Sequence, residues 1–121
     1  MIETRYDAEN ALLVASAAGE VTEADYTQRL IPAIEAASAN GPLRMLYAFG
    51  PEFESFSPGA MWQDTRVGLL HMSDIARVAV VTDEHWLSAM VHAFSWAIPV
   101  PVRVFGNDAM GAANSWLLEE D

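Results

Sequence analysis

Apolar and polar positions alternate from the first residues: Ile2, Thr4 and Tyr6 stand against Glu3 and Arg5, the period of a half-exposed strand. Asp7-Ala8-Glu9-Asn10 supplies turn chemistry. Ala11 to Ala17 resumes as a more apolar strand that Gly19 ends, so the two predict a hairpin and an antiparallel sheet edge. The period then changes. Thr22 is placed as an N-cap with Asp25 three residues on, close to a capping box. Tyr26, Leu30, Ile34 and Ala37 follow at helical spacing and form one core-facing stripe. Pro32 sits inside that helix, lacks a backbone donor and crowds the preceding turn, which predicts a kink between Gln28 and Pro32. Asn40-Gly41 supplies the stop.

Leu43 to Phe49 reads as a buried strand, ended by Gly50-Pro51, with a loop from Glu52 to Pro58. Ser57-Pro58 has the form of an N-cap and first-turn proline, opening a helix from Gly59 to about His71 that has no clean polar face. The stretch from Ile75 to Trp86 is the centre of the pattern. Val78 to Val81 is a short apolar run with three β-branched residues, the mark of a strand covered on both faces. Thr82 and Asp83 can each accept from the free N–H groups that open a helix, so a direct passage into a helix from Glu84 to Ala97 is predicted, with Asp83 as cap. Its core stripe is Leu87, Met90, Val91 and Phe94, beside a second apolar stripe of Trp86, Ala89, Ala93 and Trp96. Pro99 and Pro101 bracket the entry to an edge strand, Val102 to Phe105. Asn107-Asp108 is read as the cap of a last helix carrying Ala109, Ala112, Ala113, Trp116 and Leu117, and Glu119 to Asp121 as an acidic tail. The sum is a single α/β domain over residues 1–121: a five-stranded, mostly parallel sheet with an antiparallel N-terminal edge hairpin and four helices.

Composition narrows the chemistry. The chain has 121 residues and no cysteine, which excludes disulfides, thiolate nucleophiles and cysteine-ligated metals. Lysine is absent too, which removes Schiff-base chemistry and the P-loop lysine. A formal charge of −11 opposes nucleic acid and anionic lipid surfaces. Membrane contact is disfavoured by that charge and by Glu52 and Glu54. With no apolar run of membrane-spanning length and no signal peptide, a cytoplasmic location is expected.

Several segments, taken in order, resemble the SpoIIAA-like family of small bacterial proteins, relatives of the STAS domain of anti-sigma-factor antagonists. They are Gly19-Glu20-Val21-Thr22-Glu23-Ala24-Asp25-Tyr26, Leu30-Ile31-Pro32-Ala33-Ile34-Glu35, Ala60 with Asp64, Arg77 with Val78-Ala79-Val80-Val81 leading to Trp86, Val102-Arg103-Val104-Phe105, and Ala113-Asn114-Ser115-Trp116-Leu117. The resemblance implies the fold just described, in a family largely without assigned activity. Anti-sigma antagonists carry a phosphorylatable serine in an Asp-Ser-x-Gly type motif at the start of the second helix. The corresponding residues here, Ser55-Phe56-Ser57-Pro58-Gly59, lack the aspartate and insert a proline.

Candidate chemistry is sparse. His85 and His92 share a helix edge, but seven residues separate them by roughly 10 Å along the axis, too far to chelate one ion. Asp64 and His71 have the same spacing. No metal site or cofactor is expected, and no nucleophile–base pair marks a catalytic residue, so the chain reads as non-catalytic. Ser57 is a candidate phosphosite, though a plain N-cap also accounts for it. Asp83 follows a central strand, where open α/β sheets place ligands, but a cap accounts for it fully and is the preferred reading. The anomaly is apolar: Phe53, Phe56, Met61, Trp62 and Leu69 cluster on one loop and the helix behind it. They finish the core, line a pocket for an apolar, lipid-like small molecule under a mobile lid, or form a homodimer surface. A lipid-like ligand is the leading expectation, so that fatty acids or an apolar probe should bind. A regulatory protein–protein module of the anti-sigma-antagonist kind is the alternative.

Overall fold

The computed structural model describes residues 1–70, 72–95 and 100–119; for residues 65, 67–70, 72 and 94 only the backbone is described. His71, Trp96, Pro99 and the last two residues of the acidic tail therefore lie outside the described residues, as do the side chains of Leu69 and Phe94. Strands β1 (Ile2–Asp7) and β2 (Leu12–Val21) form the expected hairpin, with Ile2 opposite Ala17 and Asp7 opposite Leu12. Asp7 closes its turn by accepting from the Glu9 N–H and the Asn10 side chain. Strands β3 (Leu43–Phe56), β4 (Ile75–Thr82) and β5 (Val102–Phe105) add in parallel, so the sheet order is β1-β2-β3-β4-β5. Each crossover steps one strand in the same direction, and crossovers of one hand put their helices on one face. Helices α1 (Glu23–Asp25) and α2 (Ile31–Ala37), α3 (Pro58–Leu70) and α4 (His85–Phe94) accordingly share a face, where Tyr26, Leu30, Ile34, Ala60 and Leu87 join one core cluster. Helix α5 (Met110–Leu117) doubles back to the other face, burying Ala113 and Leu117 against Leu12, Leu46, Ala48, Ala79 and Val81.

The Thr22 cap is a full capping box. The Asp25 N–H donates to Thr22 Oγ1 at 3.3 Å, and the Thr22 N–H donates to Asp25 Oδ2 at 2.8 Å. The irregularity before Pro32 is a π turn over Tyr26–Leu30, in which the Ile31 N–H donates to the Tyr26 carbonyl. The wider turn gives the proline ring room where the α ladder would be crowded.

Four expectations need correction. Gly19 does not end β2, and Gly50-Pro51 does not end β3; both strands run on, with Gly19 opposite Phe53, Glu20 opposite Ser55 and Val21 opposite Phe56. The register shifts around Gly19, whose φ is +61°, so that Gly50 to Glu52 form the longer side of a bulge. A proline is tolerated there because no ladder bond is asked of its nitrogen. Residues predicted as the loop Glu52–Pro58 are therefore mostly strand, and a lid hinged at Gly50-Pro51 has no free hinge. Asp83 is not the cap of α4: Glu84 holds that position without a side-chain bond, and its N–H donates to Thr82 Oγ1. Asp83 Oδ1 instead accepts from the Asn107 N–H at 2.9 Å, tying the end of β4 to the exit of β5. Asn107 and Asp108 do not cap α5 either; they form a 3₁₀ turn, Asn107–Ala109, leading into it. Among the described residues no helix is long and apolar enough to cross a membrane.

Candidate functional site

β3 outruns its neighbour. Its pairing with β4 stops at Phe49 opposite Thr82, so Phe53 to Phe56 is held by β2 alone and projects past the C-terminal end of β4. Its aromatic side chains gather in the space this leaves. The Phe49 ring centre lies 4.8 Å from Phe53 and 5.6 Å from Phe56, and Trp86 at the start of α4 closes the group at 6.2 Å from Phe53 and 6.3 Å from Phe56. Phe53 is buried, Phe56 half-buried, and Trp86 is 44% exposed. The group thus grades from core to surface.

Two residues down β3, Tyr47 stacks on Phe49 with ring centres 4.4 Å apart. Its phenol leads into a polar chain across the helices of this face. Tyr26 Oη lies 2.7 Å from Asp64 Oδ1 and 2.9 Å from Tyr47 Oη. A phenol has one hydrogen, and a carboxylate only accepts. Tyr26 therefore donates to Asp64, and Tyr47 donates to Tyr26. Both phenols are buried, and burial raises their pKa above the usual tyrosine range, so they remain neutral. Asp64 differs. Its side chain reaches solvent. Desolvation raises its pKa, the Tyr26 hydrogen bond opposes that rise, and the water reaching it limits the net effect. On the same helix Gln63 is 5% exposed, and its Oε1 is buried without a donor among the described residues.

The sequence-predicted residues divide. Phe53 and Phe56 belong to the aromatic group, whereas Met61 and Trp62 lie on the surface of α3, Trp62 at 65% exposure; the Leu69 side chain lies outside the described residues. Ser57 caps α3, accepting from the Ala60 N–H at 3.1 Å. The Glu23 carboxylate lies against the same first turn, so that a Cβ on Gly59 would meet Glu23 Oε2 at 2.5 Å. A phosphate on Ser57 would lose that cap and enter next to a carboxylate. His85 and His92 are exposed and line, with Asp83, Ser88 and Gly106, an open recess of about 300 Å³ at the ends of β4 and β5. Among the described residues no three histidines, aspartates or glutamates group as metal ligands.

Sequence reasoning placed Tyr26 and Tyr47 in the core, where they are, but did not join them to Asp64. The available signal was chemical. A buried tyrosine in place of phenylalanine brings a hydroxyl that needs a partner, and Asp64 stands four residues from buried Ala60 on one face of α3.

These features define a class: small α/β domains whose sheet is wound in one direction, with the crossover helices on one face and the last helix on the other. The chain belongs to the SpoIIAA-like family, whose model matches residues 12–118. It is similar to the crystal structure of an uncharacterized protein from the DUF3478 family with a SpoIIAA-like fold from Shewanella loihica PV-4. The two share 26% sequence identity and superpose with a TM-score of 0.77, covering 97% of this chain and 92% of that one. No curated protein matches the chain.

Proposed function

We propose that this domain binds an apolar small molecule on the helical face, its hydrophobic part against Phe56 and Trp86 and its polar end toward Asp64. One observation carries the reading: a continuous aromatic path, Trp86–Phe53–Phe49–Tyr47, ends in a hydrogen-bonded chain that opens to solvent at Asp64. An apolar wall with a few convergent polar groups is the usual make-up of a small-molecule site. The packing of the helices supports it. Helix α5, with its small residues, lies closer to the sheet than α3 or α4 does among the described residues.

The uncharged fluorophore N-phenyl-1-naphthylamine tests this reading. It binds saturably with a blue-shifted emission, and Trp86→Ala weakens that binding while the melting temperature changes little, because Trp86 is half-exposed. Absence of saturable binding would remove the proposal. The partner-switching alternative has less support, since the Ser57 hydroxyl is engaged as a cap beside Glu23; stoichiometric phosphate on Ser57 in protein from native cells would restore it.

A further inference from the structure

We infer that the ligand presents a hydrogen-bond donor, a hydroxyl or an ammonium group, to Asp64, and that carboxylates such as fatty acid anions are selected against; this rests on the binding reading above. In the chain Tyr47 to Tyr26 to Asp64 both phenolic hydrogens are used internally. What remains for a visitor is acceptor capacity on Asp64, whose second oxygen is not used in the chain and whose side chain reaches solvent. No arginine among the described residues forms an ion pair with Asp64, and the chain has no lysine. A carboxylate head at Asp64 would meet a like charge and no free phenolic hydrogen. A hydroxyl would supply the missing hydrogen. An ammonium would supply it too, and would favour the charged form of Asp64 that desolvation disfavours.

The test compares four ten-carbon probes as competitors of N-phenyl-1-naphthylamine on the intact protein: decylammonium, decanoate, decan-1-ol and methyl decanoate. Decylammonium and decanoate are similarly costly to desolvate, so their ratio reads the site. At about 150 mM salt, where charges beyond about 8 Å are largely screened, decylammonium binds roughly tenfold more tightly than decanoate or better. Decanol binds more tightly than the acceptor-only ester. Asp64→Asn brings the ammonium-to-carboxylate ratio toward one while leaving the domain's net negative charge almost unchanged. Decanoate binding as tightly as decylammonium, or a ratio unmoved by Asp64→Asn, overturns the inference. The alcohol-to-ester ratio is read on the wild type and needs no variant; an ester binding as tightly as the alcohol overturns it as well. If the fluorophore binds and the four heads compete alike, the apolar reading stands and this one falls; if nothing binds, both fall.

Discussion

The two faces of the sheet treat polar groups in opposite ways. On the α5 face the buried Arg77 is partnered: its guanidinium donates to the Trp116 carbonyl at 2.7 Å, lies 3.7 Å from Glu119 and sits over the Trp116 ring. Around it Ala79, Ala48 and Ala113 are small, and α5 comes close to three strands. On the other face a π turn interrupts the first helix, the phenol chain ends on a carboxylate that reaches solvent, and the buried Oε1 of Gln63 has no donor among the described residues. Surplus buried polar capacity is costly unless something completes it. The closed face is therefore read as scaffold and the incomplete face as site.

The largest effect that sharpens the contrast belongs to the closed face. Leu117→Ala removes a fully buried side chain from close packing and lowers stability by about 2–5 kcal/mol. Denaturant melts read this loss, and fluorophore affinity per folded molecule stays at its wild-type value. A fall in affinity as large as the fall in stability would show that the faces are coupled. On the open face Tyr26→Phe strands the buried Tyr47 hydroxyl, at a cost of about 1–3 kcal/mol. Here binding and selectivity change as well, because the link to Asp64 is gone. If only the melting curve moves, the polar chain is structural.

Much of this contrast lies beneath what hydrophobic periodicity reports. The Tyr26, Leu30, Ile34, Ala37 stripe and the Val78 to Val81 run could be read because burial of one helix face, or of both strand faces, leaves a period in the sequence. The run-on of β3 could not. Gly50-Pro51 has the chemistry of a stop, and only the partner strand, with its bulge at Gly19, turns it into a tolerated irregularity. Asp83 misled for a similar reason: a carboxylate after a strand suits a cap, but the N–H it serves is on Asn107, brought near by the β4–β5 pairing. The site fared as the long-range contacts did. Phe53 and Phe56 stood out as apolar excess. Tyr26, Tyr47 and Asp64 come from three elements, and no local spacing links them.

A smaller effect falls on the entrance to the open face. Thr22→Ala removes the capping box and costs about 1 kcal/mol at neutral pH. The loss depends on pH through Asp25, whose folded pKa is lowered: desolvation raises it, and the hydrogen bonds from Thr22 with the charge of the N-terminus outweigh that rise. A lowered carboxylate pKa gives stability that is present above the unfolded value of about 3.8 and lost as pH falls through the folded value. The gap between wild type and Thr22→Ala is therefore full at pH 7 and narrows in acid to the share carried by the Asp25 N–H to Thr22 Oγ1 bond, which does not titrate. A gap independent of pH would mean that the threonine acts without Asp25.

Asp64→Asn has the smallest effect on stability, and its direction separates site from scaffold most sharply. Asp64 is perturbed the other way from Asp25. Desolvation raises its folded pKa above 3.8, so the folded protein holds this proton more tightly than the unfolded chain does. The resulting stability is complete below 3.8 and is lost as pH rises through the folded pKa. Asparagine keeps an oxygen to accept from Tyr26 and carries no charge to desolvate, so the variant does not share that loss. Its melting temperature relative to wild type climbs as pH is raised from about 4 and levels once wild-type Asp64 is ionised, the reverse of the trend expected for Asp25→Asn. Solvent access makes the difference small, so paired melts at each pH are the measurement. A difference that stays flat across the range would place Asp64 in ordinary water, with no charge held at a cost that a ligand's donor could relieve.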